Sequence, residues 1–170
     1  GGGSLLQTWQ ALEQKLTPHT RVLSYERAGI GESSGPVGSV GPAAVAKRLA
    51  ALLTTMQIAT PVILVGHSRG GLYSRYFAAT RPELVAGLVL LDSTPEDLAL
   101  PRFYSVKPTL LRWLLYGIAR VGLLPRLAAS RKLPLPPAYL AAMRRFQHVK
   151  TAVAESRSTR ALQREVSASV

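Results

Sequence analysis

The sequence predicts an α/β fold: a parallel sheet flanked by helices, followed by a basic helical region. Three observations carry that prediction. Short apolar runs alternate with segments of helical spacing through residues 1–100, the order that βαβ crossovers require. Gly66-His67-Ser68-Arg69-Gly70 joins one such run to one such helical segment and has the G-x-S-x-G form of a sharp strand-to-helix turn. The charge balance then changes abruptly. Residues 1–100 carry 8 Lys+Arg and 7 Asp+Glu, whereas residues 101–170 carry 13 and 2, so +11 of the net +12 lies after residue 100.

Each element has its own signal. Leu5, Trp9, Leu12 and Leu16 share one helical face, and Thr17-Pro18 ends that helix. Arg21-Val22-Leu23-Ser24-Tyr25 reads as a strand. The stretch from Glu26 to Pro36, with Gly29, Gly31 and Gly35, reads as a long loop. Gly41-Pro42 opens a helix whose apolar face is Val45, Leu49, Leu52, Leu53 and Met56. Pro61-Val62-Ile63-Leu64-Val65 is a buried parallel strand by its unbroken apolar, β-branched character. A helix over Arg69–Thr80 follows, with Leu72, Tyr76 and Ala79 at helical spacing and a stop at Pro82. Val85–Leu91 is the next strand, ending at Asp92. Beyond it no strand is evident. Leu110–Leu124 is strongly apolar with a narrow stripe of Arg112, Tyr116 and Arg120, too short and too charged for a membrane span. Pro134, Pro136 and Pro137 make Arg131–Pro137 a stiff connector. Tyr139–Phe146 and Val149–Val166 read as further helices.

At the turn, Ser68 is the apex residue, forced toward a strained backbone that exposes its hydroxyl. Gly66 and Gly70 remove side chains that would clash there, and Gly71 lets the helix approach the sheet. The helix N-terminus directs its free amides and positive dipole end at the reacting centre. A helix-capping serine in a Gly-rich turn is the competing reading.

Composition sets the outer limits. The chain of 170 residues can bury one domain's core. It has no cysteine, which excludes a disulfide scaffold, thiolate zinc sites and cysteine catalysis. No leader or membrane-spanning run is visible, and the compartment stays open. Gly1-Gly2-Gly3-Ser4 opens the chain without Met, so the native start is expected to be missing or replaced by a linker.

Three segments together resemble the α/β-hydrolase family, in its serine-nucleophile branch. Tyr25-Glu26-Arg27-Ala28-Gly29-Ile30-Gly31-Glu32-Ser33 is similar to the D-x-R-G-x-G-x-S loop after the fourth strand, with Glu26 and Ala28 departing from it. Val65-Gly66-His67-Ser68-Arg69-Gly70-Gly71 resembles the elbow after the fifth strand, and Leu88-Val89-Leu90-Leu91-Asp92 the sixth strand. The likeness implies a partial α/β-hydrolase fold, a parallel sheet with flanking helices plus a helical cap. Residues 1–100 form the partial core and residues 101–170 the basic cap, or lid. It also implies roles. Ser68 is the nucleophile, the Arg69 amide one oxyanion donor, and Gly2, at the remnant of the loop after the third strand, the second. Asp92 is a candidate acid, since some members place theirs after the sixth strand; a strand-end aspartate that hydrogen-bonds a turn is the competing reading. The family's histidine and usual acid follow later strands that this chain lacks, so the expectation is a fragment cut at both ends.

The chain's own histidines are weaker candidates for the base. His67 reads as lining or packing beside the nucleophile, His19 as a turn residue at the far end of the sheet, and His148 as a surface helix residue. Glu26 and Arg27 read as loop-bracing.

The functional expectation is a hydrolase acting on a small-molecule carboxylic ester, less readily an amide or thioester, with no metal or organic cofactor. A cofactor-free haloperoxidase or perhydrolase uses the same residues. The alternative is a non-catalytic, truncated relative that binds a lipid or partner through its basic cap. That cap suits an anionic membrane surface or an amphiphilic ester, with a soluble cap of arginine-rich exterior as the competing reading. No nucleic-acid partner is expected, because no reading motif accompanies the charge.

Overall fold

The structure is a computed structural model that describes residues 5–35, 38–97, 117–123, 125–126, 130 and 136–169. The described residues fall into two units. The first is drawn from the described parts of 38–106 and 154–170, the second from those of 3–37 and 107–153.

In the first unit, helix α2 (Pro42–Thr55) starts where Pro42 supplies a preset φ at the first helical position. Its predecessor α1 (Gln10–Leu16) belongs to the second unit. Strand β1 (Val62–Ser68) leads directly into α3 (Arg69–Thr80). A 3-10 turn at Pro82–Leu84 then feeds strand β2 (Val85–Ser93). The strands run parallel, with Val62 opposite Val85 and Ser68 opposite Ser93. Both exceed their sequence-predicted spans, since β1 continues past Val65 to Ser68 and β2 past Leu91 to Ser93. Helices α2 and α3 cover one face through Ala46, Leu53 and Phe77, against Val62, Leu64 and Val85. The opposite face, with Ile63, Val65, Val89 and Leu91, is exposed.

The C-terminal part of the first unit is α6 (Thr159–Ser167). Leu162 and Val166 pack with Val45, Leu72 and Tyr73, so α6 lies on α3. The sequence reads one helix over Val149–Val166. The structure instead has α5 (Phe146–Arg157) and α6, broken at Ser158. Ser158 leaves helical geometry (φ −85, ψ 3), and its hydroxyl bonds the Glu155 carbonyl, the backbone competition that serine offers inside a helix.

The second unit begins with a 3-10 turn at Leu6–Trp9 running into α1. It also holds α4 (Pro137–Ala142) and most of α5. Leu5, Ile30 and Ala142 form its core, with Ala138 and Tyr139 against them. Arg21–Tyr25, predicted as a strand, is none. Its exposure alternates as a strand's would, but the two described strands pair only with each other. A strand is defined by its ladder partner, which composition alone cannot supply. The predicted apolar helix over 110–124 and the connector over 131–137 lie largely outside the described residues. Among the described residues no helix is long and apolar enough to cross a membrane.

Candidate active site

The site grows from the end of β1. Ser68 has φ 52 and ψ −127, a conformation that non-glycine residues adopt only where surrounding packing imposes it. That packing is visible. A Cβ on Gly66 would lie 2.7 Å from Gly71 Cα and 2.9 Å from the Gly70 carbonyl oxygen, and one on Gly71 would collide with the Ser93 side chain. The chain therefore folds back on itself at Ser68, and α3 seats against β2. Although Ser68 occupies the N-cap position of α3, its side chain makes no cap hydrogen bond. The hydroxyl is not absorbed by helix capping.

Asp92 lies at the neighbouring strand end. His67 pairs with Leu91 and Ser68 with Ser93. Asp92 is thus skipped in the register and takes φ 42, a bulge of the kind that re-aims a side chain. The Thr94 amide donates to the Ser68 carbonyl at 3.1 Å, tying this bulge to the elbow. The structure therefore brings Ser68 and Asp92 to the same carboxyl end of the sheet, where parallel α/β folds place their chemistry. The segment after β2 is held there by the Arg75–Glu96 ion pair and by Gln163 Nε2 donating to the Pro95 carbonyl at 2.8 Å.

Arg69 is the first residue of α3, so its peptide N–H has no partner in the preceding turn. Its side chain is buried. Nε donates to Tyr73 Oη at 3.1 Å, one terminal nitrogen to Ser158 Oγ at 2.7 Å, and the other to Thr159 Oγ1. From the sequence, only the backbone amide of Arg69 enters the site. The hydroxyl pair at 158 and 159 carries no motif that would have announced it.

The histidines are placed differently from one another. His67 is exposed beside Ser68, on the sheet face away from α3. His19 is exposed in the second unit. His148, expected on the surface, is instead buried in the second unit, where Nδ1 accepts the Gly31 amide at 3.0 Å. Helix spacing alone did not show that α5 packs on the glycine loop. That loop is also braced by Glu26, whose carboxylate accepts the Leu6 amide at 3.1 Å and the Glu32 amide at 2.6 Å. Gly2 lies outside the described residues.

A family model describing the Alpha/beta hydrolase family matches residues 1–168. The chain belongs to that family. This α/β-hydrolase chain is 30% identical over 111 residues to a pimeloyl-(acyl-carrier protein) methyl ester esterase of Yersinia pseudotuberculosis, covering 65% of this chain and 41% of that protein. The lipase candidate lip1 of Acinetobacter baumannii AYE superposes with a TM-score of 0.64 at 20% identity, over 95% of this chain and 55% of that one. A haloalkane dehalogenase variant from Agrobacterium tumefaciens superposes with a TM-score of 0.66 at 18% identity, over 98% of this chain and 64% of that one. The last two likenesses establish the fold alone. This α/β-hydrolase chain spans less than two thirds of either solved structure, and its match covers less than half of the esterase.

Proposed function

We propose that this chain carries the nucleophile of a serine hydrolase that cleaves small-molecule carboxylic esters. The observation that supports this best is the strained Ser68 backbone with a hydroxyl that caps nothing. A general base removes the Ser68 hydroxyl proton as Oγ bonds to the ester carbonyl carbon. The Arg69 amide, with Gly2 as its assigned companion, holds the oxyanion. The carbonyl–alkoxy bond breaks, and the proton passes to the departing alcohol. Water then attacks the acyl group on Ser68, releasing the acid and restoring the hydroxyl. Asp92, at the neighbouring bulge, is the assigned acid that orients the base. The esterase relative favours ester over amide or thioester. Residues 1–100 are assigned as the catalytic core. Residues 101–170 are assigned as the basic cap region, whose charge suits either a solvated exterior or contact with an anionic membrane surface.

The test is labelling by a fluorophosphonate, which reacts with activated serines, followed by peptide mass spectrometry. Modification of Ser68 is expected in the folded chain, and none in Ser68→Ala. A folded chain that stays unlabelled, while a known serine esterase reacts under the same conditions, would sink autonomous hydrolase activity of this chain.

A further inference from the structure

We infer that the Arg69 side chain is a positioning group, and that α6 is its fixed anchor. This rests on the reading of Ser68 as nucleophile and of the Arg69 amide as oxyanion donor. Arg69 is buried, with 4% of the residue exposed, yet the described partners of its guanidinium are the neutral hydroxyls of Tyr73, Ser158 and Thr159, with the guanidinium carbon 5.5 Å from the Tyr73 ring centroid. Burying a cation is costly without an ionic partner, and an apolar side chain of similar size packs more cheaply. Stability alone therefore does not account for arginine here.

Direction does account for it. Each hydroxyl is turned into an acceptor because it gives its own proton to a backbone carbonyl. Tyr73 Oη donates to Val40 at 2.8 Å, Ser158 Oγ to Glu155 at 3.1 Å and Thr159 Oγ1 to Ser156 at 2.9 Å. The planar guanidinium fork then has one orientation that fits these acceptors. Residue 69 is thereby held at both ends, by the elbow backbone and by the start of α6, and its peptide N–H cannot swing. Leu162 and Val166 fix α6 itself on α3. The helix that charge alone would assign to a movable lid is, at this contact, a buttress of the oxyanion hole.

The test uses the full chain, with a Ser158→Ala/Thr159→Val double variant, each single variant, Arg69→Lys and Arg69→Met. Two readouts are followed beside the thermal midpoint: the rate of fluorophosphonate labelling at Ser68 and the ¹⁵N order parameter of the residue 69 amide. In the double variant, labelling is expected to slow about tenfold or more, because small misplacement of a reacting group is costly. The order parameter is expected to fall from about 0.85 to below about 0.6. The Arg69→Lys variant, whose ammonium reaches fewer acceptors, should fall between wild type and Arg69→Met in both readouts. A purely structural contact lowers the midpoint but leaves labelling and amide rigidity unchanged in the folded protein, and that result overturns the inference. If wild-type Ser68 is not labelled, autonomous activity of the chain fails separately, and the order parameter alone decides the anchor: a rigid Arg69 amide without the hydroxyls rejects it. The variants at 158 and 159 leave the elbow sequence intact, so they decide the matter even if the Arg69 variants do not fold.

Discussion

Ser68 holds a conformation suited to glycine while bearing the hydroxyl that the proposed chemistry needs. At φ 52 and ψ −127, such strain costs on the order of 1–3 kcal/mol. Ser68→Gly should therefore raise the unfolding free energy by about 1 kcal/mol in urea titrations while abolishing labelling. Ser68→Ala should abolish labelling without that gain. At Gly66 the effect reverses. A Cβ there meets the backbone of Gly70 and Gly71 rather than a flexible side-chain end. Gly66→Ala should lose about 1–3 kcal/mol, read as a lower urea midpoint at unchanged slope. Both effects were legible in the sequence, because the elbow is a local structure with each glycine at a fixed offset from the serine. Ser158 was not, because it meets Arg69 across 89 positions of chain and nothing at 158 marks the pairing.

Among the elements, α6 and the glycine loop show how tertiary partners decide what periodicity leaves open. Leu162 and Val166 are fully buried against Leu72, Tyr73 and Val45. Leu162→Ala should cost about 2–5 kcal/mol, seen as a drop in thermal midpoint. In the second unit the glycine loop is latched to α5. His148 accepts the Gly31 amide, Gln147 Nε2 donates to the Gly35 carbonyl at 3.0 Å, and Arg145 pairs with Glu32 at 2.6 Å. Removing the imidazole strands a buried amide, a loss of about 1–3 kcal/mol. His148→Ala should accelerate hydrogen exchange at Gly31 before the thermal midpoint of the first unit moves. The helices α2 and α3 and the strand cores could be read from apolar spacing and from Gly and Pro positions. The helix break at Ser158 and the non-strand state of Arg21–Tyr25 among the described residues could not, since each depends on which neighbour is present.

Across the whole molecule the dominant feature is charge placement, with the last 70 residues holding nearly all the net positive charge. Arg144, Arg145, Lys150, Arg157 and Arg164 are exposed among the described residues. If the basic region meets anionic lipid as proposed, co-sedimentation with phosphatidylserine vesicles should be strong at low salt. It should decline steeply toward about 0.5 M salt, where the Debye length falls well below about 8 Å. Neutral vesicles should retain little protein, and equal binding to both would reject the lipid assignment. The charge step was plain in the sequence. The two units were not, because each is assembled from separated stretches of chain. That assembly also sets an order of events during biosynthesis. The anchor of Arg69 lies 90 residues downstream of it, and loops of that length close slowly relative to local helices and turns. The elbow sequence leaves the ribosome long before its proposed buttress does. A nascent chain stalled short of residue 158 would thus carry the motif without the hydroxyls that receive the Arg69 guanidinium, and the proposed alignment at Ser68 would wait for α6 to emerge.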